Sequence, residues 1–142
     1  MAVEITVRYL GELRCEAVHG PSGTSLVTDA PTDNHGRGES FSPTDLVATG
    51  LGSCILTILG IVADRHGWDL SGARVRVVKH MTEQGRRRIE RLETEVSLPG
   101  AWDAEQRRLL QRAAETCPVK STLEAGVAMP IAWRFGAEEA ES

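Results

Sequence analysis

SPTDLVATGLGSCILTILGIVADRHG, residues 42–67, decides the architecture. Ser42 is an N-cap residue type. Pro43 fits the first helical position, where its missing N–H costs nothing, and Asp45 can close a capping box. Apolar residues then fall on nearly every side: Leu46, Val47, Leu51, Ile55, Leu56, Ile58, Leu59, Ile61 and Val62. The run ends at His66, before Gly67. A helix apolar all round is buried on most sides, so the rest of the chain must cover it.

Upstream, residues 3–19 are extended, with Val3, Ile5, Val7 and Tyr9 alternating with polar residues. Gly20-Pro21-Ser22-Gly23 makes a turn and Ser25 to Thr28 a short strand. Pro31 to Ser40 is a polar loop. Downstream, residues 73–81 and 89–98 alternate and predict an antiparallel hairpin with one wet face. Arg86-Arg87-Arg88 belongs to its solvated turn. Asp103 and Gln106 form a second capping signature, for a helix over 104–116. Pro118 interrupts it, residues 119–123 form a short helical turn, and a strand over 128–135 closes the chain. The acidic tail, 135–142, is expected to fray. Strands, helix, hairpin, helix and strand in that order predict one α+β domain spanning 1–142.

The chain has 142 residues, enough for one domain. Hydrophobic residues make up 41% and aromatics only 4%, which predicts an aliphatic core. The net charge is −4, and phosphate binding needs clustered Lys and Arg, so nucleic acid is excluded as a partner. Met1 to Leu10 carries Glu4 and Arg8 rather than a secretory apolar stretch. The longest apolar stretch, Cys54 to Ala63, falls short of the roughly 20 residues a bilayer needs. The expected location is the cytoplasm, with no membrane partner.

A reducing compartment argues against a disulfide framework for Cys15, Cys54 and Cys117. No Cys-x-x-Cys or His-x-x-x-His spacing occurs, so no metal site is expected, and no organic cofactor is implied. His19, His35, His66 and His80 are scattered. Two readings of Cys54 stay open. Gly50 and Gly52 each weaken a helix by about 1 kcal/mol relative to alanine. That cost predicts a break, with a helix over 43–50 and a second one capped by Ser53. Cys54 would then lie in a first turn, where free N–H groups and the helix dipole favour a thiolate. Alternatively Cys54 is a small buried hydrophobe and the glycines permit close packing. Cys117, before Pro118, is likewise either near a thiolate-favouring cap or a structural cysteine. Cys15 lies in a strand and reads as structural or incidental.

Phe41-Ser-Pro-Thr-Asp-Leu-Val-Ala-Thr-Gly-Leu-Gly-Ser-Cys54, taken with Cys117-Pro-Val-Lys-Ser-Thr-Leu123, resembles the OsmC/Ohr family (osmotically inducible protein C and organic hydroperoxide resistance protein), on its OsmC-like side. The motifs are specific as a pair. The resemblance implies an OsmC-like fold: antiparallel sheets wrapped around two central helices in an intertwined homodimer, with active sites at the dimer interface. It implies reduction of organic hydroperoxides by a cysteine pair, re-reduced by a dithiol of the lipoyl type. Carried over, Cys54 matches the peroxidatic cysteine and Cys117 the resolving one. Thiolate attack on peroxide yields a sulfenate, which a second thiol converts to a disulfide.

The family adds an Arg and a Glu that hold the thiolate and polarise the peroxide. Thr44 stands where that Glu is expected. Asp45, one residue on, either orients the arginine or only caps the helix. Arg37 is the best match for the arginine and Arg14 the second. With Thr44 in place of Glu, the alternative is a non-enzymatic protein on the same fold, binding a small apolar ligand or sensing redox state.

Overall fold

The computed structural model describes residues 1–136. The chain groups into two compact units, one up to Val47 and one from Ala48.

The first unit is a three-stranded antiparallel sheet of β1 (Ile5–Gly11), β2 (Arg14–His19) and β3 (Ser25–Asp29), in that order. The extended stretch expected over 3–19 is therefore two strands. The chain reverses at Gly11, Glu12 and Leu13, all with positive φ (92°, 55° and 65°). Glu12 and Leu13 are not the residue types that announce such a turn. Tyr9 Oη supports it, accepting the Leu13 N–H at 3.1 Å. The register pairs Val7 with Ala17, Ala17 with Leu26 and Tyr9 with Cys15. Opposed residues share a face, so Ile5, Val7, Tyr9, Cys15, Ala17 and Leu26 form one apolar surface. Ile5, Val7 and Tyr9 remain 59%, 60% and 66% exposed on it.

The loop after β3 contains a 3₁₀ turn, Thr32–Asn34. Buried Asp29 anchors it from both ends: its N–H donates to Phe41 O (3.0 Å), and its Oδ2 accepts the Glu39 N–H (3.0 Å). Gly36 packs so tightly that a Cβ there would lie 1.8 Å from the Ala30 carbonyl oxygen.

The second unit holds a sheet of β4 (Arg74–Met81), β5 (Ile89–Leu98) and β6 (Ile131–Phe135). β4 and β5 form the expected antiparallel hairpin, and β6 joins β5 in parallel. Between β5 and β6 come α2 (Ala104–Ala114) and α3 (Pro118–Leu123). The Asp103–Gln106 capping box is present at the start of α2. β6 begins at Ile131 rather than Ala128 because Pro130 has no N–H to donate. The stretch before it is still tied in, since Leu92 and Thr94 donate to Ala128 O (2.8 Å) and Pro130 O (3.0 Å). Phe135 is buried in β6, paired with Leu98. The expected tail therefore excludes Phe135, and residues 137–142 lie outside the described residues. Arg86, Arg87 and Arg88 are exposed as expected, and Arg88 Nη1 also reaches Gly126 O (2.7 Å).

The central helix α1 (Pro43–His66) is one unbroken run of 24 residues. The expected cap is formed: Ser42 Oγ accepts the Asp45 N–H at 3.1 Å, and Asp45 Oδ2 accepts the Ser42 N–H at 2.9 Å. The break at Gly50–Ser53 does not occur, so Cys54 lies in mid-helix and gains nothing from a helix start. Packing explains the continuity. A Cβ on Gly52 would lie 3.3 Å from Val77 Cγ2 and 3.4 Å from Val75 Cγ1, so the bare glycine lets α1 press onto β4. By length and composition α1 could cross a membrane, with a window of mean hydropathy 2.2. Its buried residues Leu51, Gly52, Ile55, Leu59 and Ala63, with Gly52 against β4, instead fit a core helix. The core of this unit is aliphatic around Leu51, Ile55, Leu59, Leu92, Val96 and Leu110, with Trp102, Trp133 and Phe135 added.

Candidate functional site: a cysteine pair

All three cysteines are free thiols. Cys54 projects from α1, half-buried, while Cys117 is completely buried at the cap of α3. Pro118 sets the first position of α3, and Cys117 Sγ accepts the Lys120 N–H at 3.4 Å. Far apart in sequence, the two thiols lie in the second unit near enough for Cys54 to act on the Cys117 proton.

Burial pushes the Cys117 thiol above the usual thiol range. The Cys54 sulfur, toward which the Cys117 S–H can donate, pushes it further, against the opposing pull of the Lys120 and Val119 N–H groups. Of the two readings of Cys117, this disfavours the thiolate-favouring cap: desolvation of the charged form outweighs the backbone donors of Lys120 and Val119. The arrangement sets a protonated, enclosed sulfur behind one that solutes can reach. That is the division of labour a two-thiol redox couple requires.

Lys120 was not marked out by the sequence reading, although it sits inside the Cys117-Pro118-Val119-Lys120 motif. The third position after a cap faces the cap side chain, and that spacing was the available signal. Its Nζ lies 2.8 Å from Glu115 Oε2 and 3.8 Å from Glu124 Oε2, with the side chain only 13% exposed.

The remaining expected residues belong to the first unit. Arg37 is 64% exposed in the loop after the 3₁₀ turn, its Nη2 3.8 Å from Glu12 Oε2. Arg14 is better enclosed, with Nη1 3.2 Å from Glu39 Oε2. The Asp45 carboxylate serves the helix cap, and Thr44 Oγ1 lies 3.2 Å from Ser42 Oγ. Asp29 was also missed. It is almost fully buried, its Oδ1 has no hydrogen-bond partner among the described residues, and no sequence pattern marks it.

Residues 36–131 match the family model described as OsmC-like protein. A crystal structure from Psychrobacter arcticus 273-4, of a protein named for osmotic stress and detoxification response, is 36% identical with a TM-score of 0.85. The match covers 92% of this chain and 93% of that one. An OsmC-like protein of Mycoplasma pneumoniae (TM-score 0.81, 12% identity, 96% and 98% covered) shares the fold. So does an organic hydroperoxide resistance protein OsmC of Legionella pneumophila (0.76, 16%, 94% and 97%). No curated protein matches the chain. With its α+β architecture, its core helix and its paired thiols, the chain belongs to the OsmC-like protein family.

Proposed function

We propose that the protein is a cysteine-based peroxidase that reduces organic hydroperoxides. The observation that carries this reading is an accessible Cys54 placed near a buried Cys117. The Cys54 thiolate attacks the distal peroxide oxygen, releasing an alcohol and leaving a sulfenate. The Cys117 thiol displaces water from it, forming the Cys54–Cys117 disulfide. A dithiol of the lipoyl type returns the pair to thiols, and the two sulfurs carry the electrons without a metal or organic cofactor. The family relation and the organic hydroperoxide resistance proteins among its structural neighbours support the substrate class.

Arg37 is the arginine of the site. Its 3.8 Å pair with Glu12 is exposed, and such pairs are worth about 0–1 kcal/mol, so Glu12 holds the guanidinium only weakly. Asp45 contributes as a cap. The protein works in the cytoplasm as a homodimer, in which a second copy covers the apolar face of β1 and β2.

One equivalent of cumene hydroperoxide, followed by intact mass and peptide mapping with a Cys54→Ser control, tests this. The expected result is a disulfide mapping to Cys54 and Cys117. Dihydrolipoamide should reverse it, with alcohol produced over many turnovers. An unreacted protein, or a Cys54 that overoxidises slowly without engaging Cys117, would move the function to ligand binding on the same fold.

A further inference from the structure

In a disulfide joining Cys54 and Cys117, the two sulfurs are not equivalent to an incoming reductant. Cys117 is 0% exposed, whereas Cys54 keeps part of its surface open. A thiolate attacks along the S–S axis, so it must reach one sulfur from outside while the other leaves behind it. The enclosed position also holds what a departing thiolate needs. Cys117 Sγ already accepts the Lys120 N–H at 3.4 Å. The same residue brings an ammonium that is 13% exposed and fixed between Glu115 (2.8 Å) and Glu124 (3.8 Å).

We propose that re-reduction is directional: the reductant thiolate attacks Cys54, Cys117 is the leaving sulfur, and Lys120 is the positioning residue that receives its charge. The inference rests on the peroxidase reading for the source of the disulfide. The first dithiol sulfur bonds to Cys54 Sγ, the Cys54–Cys117 bond breaks, and its electron pair departs on Cys117 Sγ. The second sulfur of the dithiol then closes its own disulfide and expels Cys54 as a thiolate. Two electrons pass from dithiol to protein, and two protons restore both thiols. The Lys120 ammonium holds its proton more firmly than an ordinary lysine, chiefly through Glu115, with Glu124 and Cys117 adding to the effect.

The test uses the full chain carrying Cys15→Ser, oxidised in parallel with cumene hydroperoxide and with diamide. Brief exposure to glutathione, an acid quench, alkylation of the freed thiol and peptide mapping locate the mixed disulfide. Glutathione on Cys54 with an alkylated Cys117 is expected; the reverse pattern overturns the inference. A disulfide formed by diamide but not by hydroperoxide would remove the peroxidase reading and leave the direction of opening testable. No disulfide with either oxidant removes both. In Lys120→Met, the rate of disulfide reduction relative to hydroperoxide consumption should fall about three- to tenfold through the poorer leaving group, and Lys120→Arg should recover most of it. Equal loss in both half-reactions, or no recovery with arginine, refutes the role of Lys120.

Discussion

Ser42 and Asp45 exchange two hydrogen bonds across the first turn of α1, each side chain accepting the other's backbone N–H, at 3.1 and 2.9 Å. The carboxylate nearest the missing family Glu is thus already committed to holding the helix. Asp45→Ala should cost about 1 kcal/mol of stability, measured by urea denaturation. Asp45→Asn, which keeps an accepting oxygen, should cost less. At a temperature where both variants are folded, their peroxidase rates should match the parent; a large loss of rate in a folded Asp45→Asn would show that the charge serves the reaction.

Arg37 and Arg14 are separable by what each side chain is doing. Arg14 holds Glu39 at 3.2 Å and is 29% exposed on its side chain, whereas Arg37 is 64% exposed. Arg37→Ala should leave the melting temperature within a degree or two and lower the hydroperoxide rate by roughly 10²-fold, the scale of a lost electrostatic stabiliser. Arg14→Ala should do the opposite, losing up to about 1 kcal/mol of stability. An exchange of these outcomes would hand the site to Arg14.

Cys117 links stability to alkaline pH. Its proton is held more tightly in the folded chain, because burial disfavours the thiolate. Below an ordinary thiol's 9.0 both folded and unfolded chains keep that proton and the contribution is fully present. As pH rises past that point the unfolded chain ionises first, and the contribution is lost on the way to the folded pKa. Urea midpoints measured between pH 8 and 10.5 should fall more steeply for the parent than for Cys117→Ala. Parallel slopes would show that Cys117 titrates normally.

Two glycines are tight for different reasons and should respond differently to alanine. At Gly36 the obstacle is backbone, 1.8 Å away at the Ala30 carbonyl oxygen. The loop must move, at a cost of about 1–3 kcal/mol. At Gly52 the obstacles are the Val77 and Val75 methyl groups at 3.3 and 3.4 Å. Those side chains can yield by tenths of an ångström, and alanine returns up to about 1 kcal/mol of helix propensity. Calorimetry should place Gly36→Ala well below the parent in Tm and Gly52→Ala close to it.

The apolar surface shared by Ile5, Val7 and Tyr9 predicts its own cover. Sedimentation should show a dimer for the parent. Val7→Asp should shift it toward monomer, because a carboxylate would be placed on the surface a second copy buries. A parent that sediments as a monomer at micromolar concentration would leave that face for another occupant.

Local signals carried much of this structure. The cap at Ser42, the capping box at Asp103, the alternation of β4 and β5 and the Pro118 start of α3 are each set by neighbours a few residues apart, and each was legible. What could not be read depends on distant partners. Propensity at Gly50 and Gly52 argued for a break, but Val75 and Val77, far along the chain, decide in favour of an unbroken helix. The reversal at Glu12 and Leu13 uses left-handed backbone without glycine at those positions, so the alternation of Val3 to Tyr9 ran on unchecked. The motifs named both cysteines of the pair. The direction of the Cys117 shift came from enclosure, which no motif encodes.

The parallel pairing of β5 with β6 has a consequence for synthesis. A strand cannot turn back on its neighbour to lie parallel with it; the chain must first travel the length of the sheet, and α2 and α3 occupy that return. Such closures form slowly, because a long segment is ordered before its contacts reward it. Cys54 leaves the ribosome well ahead of β6, and Cys117 lies in the return segment that β6 pins in place. For several seconds at about 5–20 residues per second, a nascent chain carries a thiol with no partner to rescue it. On the two-thiol mechanism proposed above, newly made molecules, rather than mature ones, are expected to be the population most open to irreversible oxidation.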